Sequence, residues 1–373
     1  MPRARVAGLA WPEFQLRQVQ RAGALHIVVV AGRVSRDVVE ALDRLRAEGL
    51  SATLVRTPAE AADLFHPDEA VLLMSGAAVV DPARLDALLD AQGATILCLR
   101  GPDADPRFEL IDARDRWVGI ARLQGAQVRK TAEEVGEWDF GSMLLRAAVR
   151  AKAQRLVLSD GDHLVDAAEP GAASGAGRAM LGAVSSEVTG WGGRWVVEPA
   201  ARLIGRLGIN FLPVVARFAP WVAAMLLVLA PVATAVGGVP AGSAILLVAI
   251  ILAAVSRLAA GAIGYPVQLK SALPVLTAAA AIAVLAIATW PRVTDLTQPL
   301  AAVVLVGLVV LANRLKMPAE RPVWLADLSG HALILLISSM FGVVGLTIGL
   351  MLTVAHGFAT LAWLQNRLSP PLT

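Results

Sequence analysis

Between Glu198 and Asp295 the chain has neither aspartate nor glutamate, although it carries 30 acidic residues in a length of 373. Such a stretch cannot hold a hard divalent cation through its own side chains, because those cations take oxygen ligands. Cysteine is nearly absent as well. The single Cys98 excludes an internal disulfide and any cysteine-based zinc site. It lies in the apolar run Ala94–Leu99, which reads as a buried strand and not as the setting of a nucleophile. No glycine-rich phosphate cradle occurs, neither GxGxxG nor GxxxxGK[ST]. There is no serine-nucleophile motif, no histidine–acid cluster with zinc spacing and no internal repeat of the transporter type. The first residues are basic but lead into no apolar core segment, so no signal peptide is expected and the N-terminal region is expected to stay in the cytoplasm.

What is present falls into two halves. Residues 1–198 carry 23 Lys+Arg against 27 Asp+Glu, and residues 199–373 carry 10 against 3. The basic excess therefore belongs to the apolar half, where it reads as membrane topology and lipid contact. The first half lacks the clustered basic residues with interleaved aromatics that a nucleic-acid groove requires, so no nucleic-acid partner is expected.

In the first half, short β-branched runs alternate with amphipathic segments. Leu25–Ala31, Ala52–Arg56, Ala70–Met74, Ala94–Arg100, Phe108–Ile111, Trp117–Leu123 and Arg155–Ser159 read as strands. Trp11–Ala22, Val34–Glu48, a short stretch from Pro58, Pro82–Ala91 and Val135–Ala151 read as helices. Up to Arg100 this alternation predicts a parallel sheet covered on both faces, within an α/β domain over residues 1–165. Beyond Gly101 the pattern changes, with the charged turn Asp112–Arg116 between two strands. Ligands of such sheets bind at the carboxyl ends of the strands. The candidate pocket residues are therefore Ser75, Gly76, Asp160 and Asp162. Asp160, Asp162 and His163 have metal-ligand chemistry, but a solvated turn is the preferred reading, so no metal and no cofactor is expected. Asp139 reads as a helix cap rather than a catalytic acid. His26 and His66 read as structural.

Residues 166–190, rich in Gly, Ala and Ser, read as a flexible linker. A juxtamembrane helix is expected over 191–211. Arg194, Glu198, Arg202 and Arg206 recur every fourth residue as a polar stripe, and Pro199 marks the start of its regular part. An arginine-bearing amphipathic helix before a span suits the headgroup layer, the alternative being a helix packed on the first domain. Six spans are expected over 212–373, near 212–236, 242–263, 272–290, 297–315, 323–342 and 344–364. Segments on the N-terminal side of the membrane hold Arg202, Arg206, Arg217, Lys270, Arg314, Lys316, Arg321 and Arg367, whereas the opposite loops hold only Arg292. That asymmetry predicts both termini in the cytoplasm.

The runs VAGLAWPEFQLRQVQRAGALHIVVV, VLLMSGAAVVDPARLDALL, FELIDARDRWVGIARL and EVGEWDFGSMLLRAAVRA resemble parts of a sugar-nucleotidyltransferase domain. The domain order, the basic amphipathic helix and the six apolar segments resemble bacterial fusions of that domain with a membrane CDP-alcohol phosphatidyltransferase. The resemblance implies a protein of the bacterial inner membrane. That family is read by the motif DxxDGxxARx8GxxxDxxxD, whose aspartates bind the metals that hold the diphosphate of the donor. With the motif's arginine placed on Arg257, its aspartates fall on Ala249, Leu252, Lys270 and Pro274, and its second glycine falls on Pro266. Thr189-Gly190 resembles the family's Thr-Asp-Gly without the aspartate. In the first domain the expected metal-binding aspartate falls on Ser75, and the nucleotide loop would precede Val6.

The resemblance therefore implies a catalytically eroded relative with no catalytic residue. It would act as a lipid- or nucleotide-binding or regulatory partner in phospholipid biosynthesis. Arg206, Arg217, Arg257 and Lys270 would meet a phosphate or lipid headgroup. Expected partners are the bilayer, an anionic or phosphorylated lipid, and a protein partner or second copy. One alternative is an active phosphotransferase drawing metal ligands from outside the spans. The other is a transporter or flippase of anionic lipid. Arg257 is open between reaching to the interface and facing a headgroup cavity. Asp327 and His331 read as interfacially solvated, and His356 as a partner in a hydrogen bond between helices.

Overall fold

The computed structural model describes residues 5–75, 78–101, 105–134, 139–159, 162, 164–166, 172–184, 190–289, 297–314 and 327–368. The chain divides into two compact units. The first holds residues 1–184 with 209–213 and 261–266, and the second holds the remainder.

The first unit is α/β. Two short strands, β1 (Arg5–Val6) and β2 (Leu9–Ala10), form an antiparallel hairpin that leads into α1 (Trp11–Arg21). The β-branched run over 26–30 forms β3 (His26–Val30), which pairs in parallel with β4 (Ser51–Val55). Between them lies α2 (Arg36–Ala47), and after them the single turn α3 (Pro58–Ala62). Pro58 at the first helical position and the Thr57 hydroxyl accepting the Glu60 N–H at 3.2 Å fix where α3 begins.

The larger sheet runs β10 (Gln154–Val157), β7 (Thr95–Arg100), β9 (Asp115–Gln124), β5 (Ala70–Met74), with β8 (Glu109–Leu110) also paired to β9. Here the expectation of a parallel sheet is corrected. Only β10 and β7 are parallel, and β9 runs antiparallel to both β7 and β5. β6 (Ala78–Val80) pairs antiparallel with β11 (Leu164–Asp166) apart from this sheet. Side chains alternate along the strands. Ile96, Trp117, Ala121 and Leu123 pack against α5 (Gly125–Glu134) and α6 (Phe140–Arg150), whereas Leu97, Val118 and Ile120 pack against α4 (Pro82–Asp90). Helices therefore cover both faces, as expected. Cys98 is buried in β7, and burial pushes its thiol up to about 11, so it is an inert core residue.

The stretch read as a flexible linker contains a helix, α7 (Ala172–Ala183). Alanine is the best helix former, and Ala176, Met180 and Leu181 are buried, so the small-residue composition here serves packing.

The C-terminal part is helical. A π-helical turn over Gly193–Val197 precedes α8 (Glu198–Leu207), and the Glu198 N–H reaches back five residues to Gly193 O. Pro199, without an N–H, stands at the start of the regular helix, as expected. Next come α9 (Leu212–Ile263), α10 (Ala272–Thr289), α11 (Thr297–Arg314), α12 (Leu328–Met340) and α13 (Val343–Leu368). As one rod, the 52 residues of α9 would be about 78 Å long. They are not one rod. Gly238 takes φ 83° and ψ 174°, outside helical space. A Cβ on Gly242 would lie 1.8 Å from Thr234 Oγ1 and 2.8 Å from Ala230 O, contacts that a straight helix cannot make across eight and twelve residues. α9 is thus a hairpin of two antiparallel arms.

Six spans were expected. Among the described residues two helical stretches are long and apolar enough to cross a membrane: residues 209–263, which include both arms of α9, and α10. α12 is apolar but only 13 residues long, about 20 Å.

Candidate functional site

At the carboxyl end of β5, Ser75 sits in a close-packed corner. β9 carries extra residues opposite β7, and Gly119 takes φ 87° at that bulge. Its carbonyl accepts the Ser75 N–H at 2.6 Å, and a Cβ on it would lie 2.3 Å from Ser75 O. A Cβ on Gly141 would lie 2.5 Å from Ser75 Oγ and 3.2 Å from Asp139 Oδ2. Asp139 caps α6 by accepting the Ser142 N–H at 2.8 Å, and Ser142 Oγ donates to Glu109 at 2.7 Å. The cap reading of Asp139 therefore agrees with its contacts.

Asp162 accepts from Arg84 at 2.8 Å and from the Ser159 N–H at 2.6 Å. Burial opposes its charge, but the Arg84 hydrogen bond and the Ser159 N–H prevail and hold its carboxyl below the usual range. Asp162 thus closes a turn. Gly76, Asp160 and His163 lie outside the described residues. Among the described residues no group of three or more His, Cys, Asp or Glu is placed to hold a metal. His26 meets Thr53 Oγ1 at 2.9 Å across β3 and β4, and His66 is exposed with its Nδ1 accepting the Asp68 N–H, contacts that suit the structural roles expected of both.

The basic candidates belong to the helical unit. Arg206 is exposed on α8, Arg217 is exposed early in α9, and Lys270 is exposed in the turn after its second arm. Trp221 Nε1 donates to Gln268 at 2.9 Å, holding that turn against the first arm and bringing Arg217 and Lys270 to the same end of the hairpin. Arg257 is half-buried in the second arm and engaged there.

The sequence reading missed a polar clasp in the same unit. Asp327 was expected in interfacial water but is buried. Its carboxylate accepts the N–H groups of Gly192 at 3.1 Å and Gly193 at 2.9 Å, together with the Ser329 hydroxyl. His331 is buried too, its Nδ1 2.6 Å from Asp327 O. The His331 and His356 rings meet edge to face at 6.3 Å, and Trp191 lies 6.3 Å from His356. His356 Nδ1 meets Leu352 O of its own helix, and among the described residues it meets a second helix by ring contact in place of the expected hydrogen bond. The backbones approach so closely that a Cβ on Gly192 would lie 2.2 Å from Gly330 N. The only signal in the sequence was the glycine-rich Gly190-Trp191-Gly192-Gly193 run.

This clasp fixes the helix from Gly193 to Leu207 with three distinct sides. Gly193, Val197, Ala201 and Gly205 are buried. Arg194, Trp195, Glu198, Arg202, Leu203 and Arg206 line an open groove, in which Glu198 pairs with Arg202 at 2.8 Å. Trp195 remains 69% exposed and Leu207 80% exposed. The arrangement offers cationic hydrogen-bond donors beside bare apolar surface and no carboxylate left to bind a cation. No protein-family model matches the chain, and no curated protein matches it.

Proposed function

We propose that the chain is a membrane protein related in design to bacterial sugar-nucleotidyltransferase/CDP-alcohol phosphatidyltransferase fusions, without their metal chemistry, that binds lipid headgroups as a partner in phospholipid biosynthesis. The observation that carries this reading is a helical hairpin without a single carboxylate and with Arg217 and Lys270 at one end. Phosphoryl transfer depends on neutralising phosphate charge, normally with metal ions. In the helical unit the described carboxylates are committed elsewhere: Glu198 to Arg202, and Asp327 to backbone N–H groups. Arginine and lysine bind phosphate directly, so headgroup binding outlasts loss of the metal site.

Six spans with both termini in the cytoplasm belong to the same reading. The arms of α9 on either side of Gly238, together with α10, α11, α12 and α13, supply six helical segments.

The test is incubation of the purified full chain in detergent with CDP-diacylglycerol, an alcohol acceptor and magnesium. We expect no CMP release above a protein-free control, together with retention of phosphorylated lipid. CMP release that survives Arg257→Gln but is lost on substituting Asp160 and Asp162 would assign an active transferase instead.

A further inference from the structure

We propose that the helix from Gly193 to Leu207 is an anionic-phospholipid reader, with Arg194 and Arg206 on lipid phosphates and Trp195, Leu203 and Leu207 in the acyl boundary. This deepens the reading above, because it rests on α9 lying in a bilayer.

The helix already has a buried side, so its exposed apolar residues are not a core face awaiting the rest of this unit. Gly193, Val197, Ala201 and Gly205 take that role, and Asp327 locks the helix start. Trp195, Leu203 and Leu207 are left bare, beside Arg194 and Arg206. Exposed apolar side chains set among cations mark a binding face. Glu198 is neutralised by Arg202, and neither Arg194 nor Arg206 has an ion-pair partner among the described residues, so the face carries net positive charge. Tryptophan sits well at the headgroup level, where its ring is apolar and its N–H wet. Leu207 precedes α9 by five residues, which places the helix beside the entry of an apolar hairpin. Cationic donors, aromatic anchor and adjacent span together fit the surface of an anionic leaflet.

The full chain is reconstituted into nanodiscs of phosphatidylcholine with and without phosphatidylglycerol, carrying a nitroxide at Leu203→Cys. Buried Cys98 stays unlabelled. Power-saturation accessibility to oxygen and to a nickel chelate reads the depth of the label, and extraction counts the phosphatidylglycerol that remains bound. We expect a label at the acyl boundary and a phosphatidylglycerol preference that falls roughly tenfold in the Arg194→Gln/Arg206→Gln double variant. A label in bulk water overturns the proposal, using wild-type arginines alone. So does an unchanged lipid preference in the double variant. Spin–spin coupling between labels overturns it in favour of a second copy covering the face. Failure of the chain to enter nanodiscs overturns the broader reading as well, whereas entry with a water-exposed label overturns this one only.

Discussion

At the residue scale, charge in the first unit is spent on internal order. Arg17 is 1% exposed, yet it contacts Glu13 at 3.0 Å and Glu48 at 2.8 Å and lies 4.3 Å over the ring of Tyr265. Asp115, also 1% exposed, receives Arg100 at 2.8 Å and Arg155 at 2.6 Å. The Arg100 hydrogen bond lowers its carboxyl, burial opposes this, and the Arg155 hydrogen bond carries it to about 2. Because the folded value lies below the unfolded one, the stabilisation is present above pH 4 and is lost as the pH falls towards 2. It amounts to about 2 kcal/mol. Denaturant titrations of the full chain at pH 6 and pH 2.5 should show that loss. Asp115→Asn should be weaker at pH 6 and lack this part of the acid sensitivity. An unchanged pH profile in Asp115→Asn would remove the pair from any account of acid stability.

At the element scale, the strands were legible and their neighbours were not. The run Ala70–Met74 is a strand with the expected ends, and the runs near residues 26 and 95 differ from expectation by a residue or so. β-branched runs reveal which residues extend, and alternation reveals their faces. Neither reveals which strand lies alongside, and so the expected parallel sheet did not foresee β9 running antiparallel between β5 and β7. Helix α5, with Val128 and Ala132 as its only buried aliphatic side chains, was missed, and the sequence reading places no element between Leu123 and Val135. The hairpin in α9 makes a prediction at this scale. Gly242→Ala places a methyl group against Thr234 and the Ala230 carbonyl, which should lower stability by about 1–3 kcal/mol in detergent. Gly307→Ala, where a Cβ meets nothing within 4 Å, should be neutral or slightly stabilising. Equal thermal shifts in the two variants would show that the arms do not pack closely.

For the whole molecule, the composition break near residue 199 located the change from α/β to helical structure, because burial in an apolar medium and exposure to water select different residues. The candidate site was less legible. The basic residues could be named from the sequence, but the clasp joins groups 134 and 135 positions apart, and no spacing rule reaches so far. Topology offers the test at this scale. With both termini in the cytoplasm, Thr294→Cys should react with an impermeant maleimide on intact spheroplasts, and Ser271→Cys only after permeabilisation. The reverse pattern would invert the proposed orientation.

The Asp327 clasp also sets an order of events during synthesis. Gly192 leaves the ribosome 135 residues before the carboxylate that secures it. At ordinary translation speeds that gap is roughly 7 to 27 seconds. Through that interval the start of the arginine-bearing helix lacks this fastening, and premature termination anywhere before codon 327 would remove it altogether.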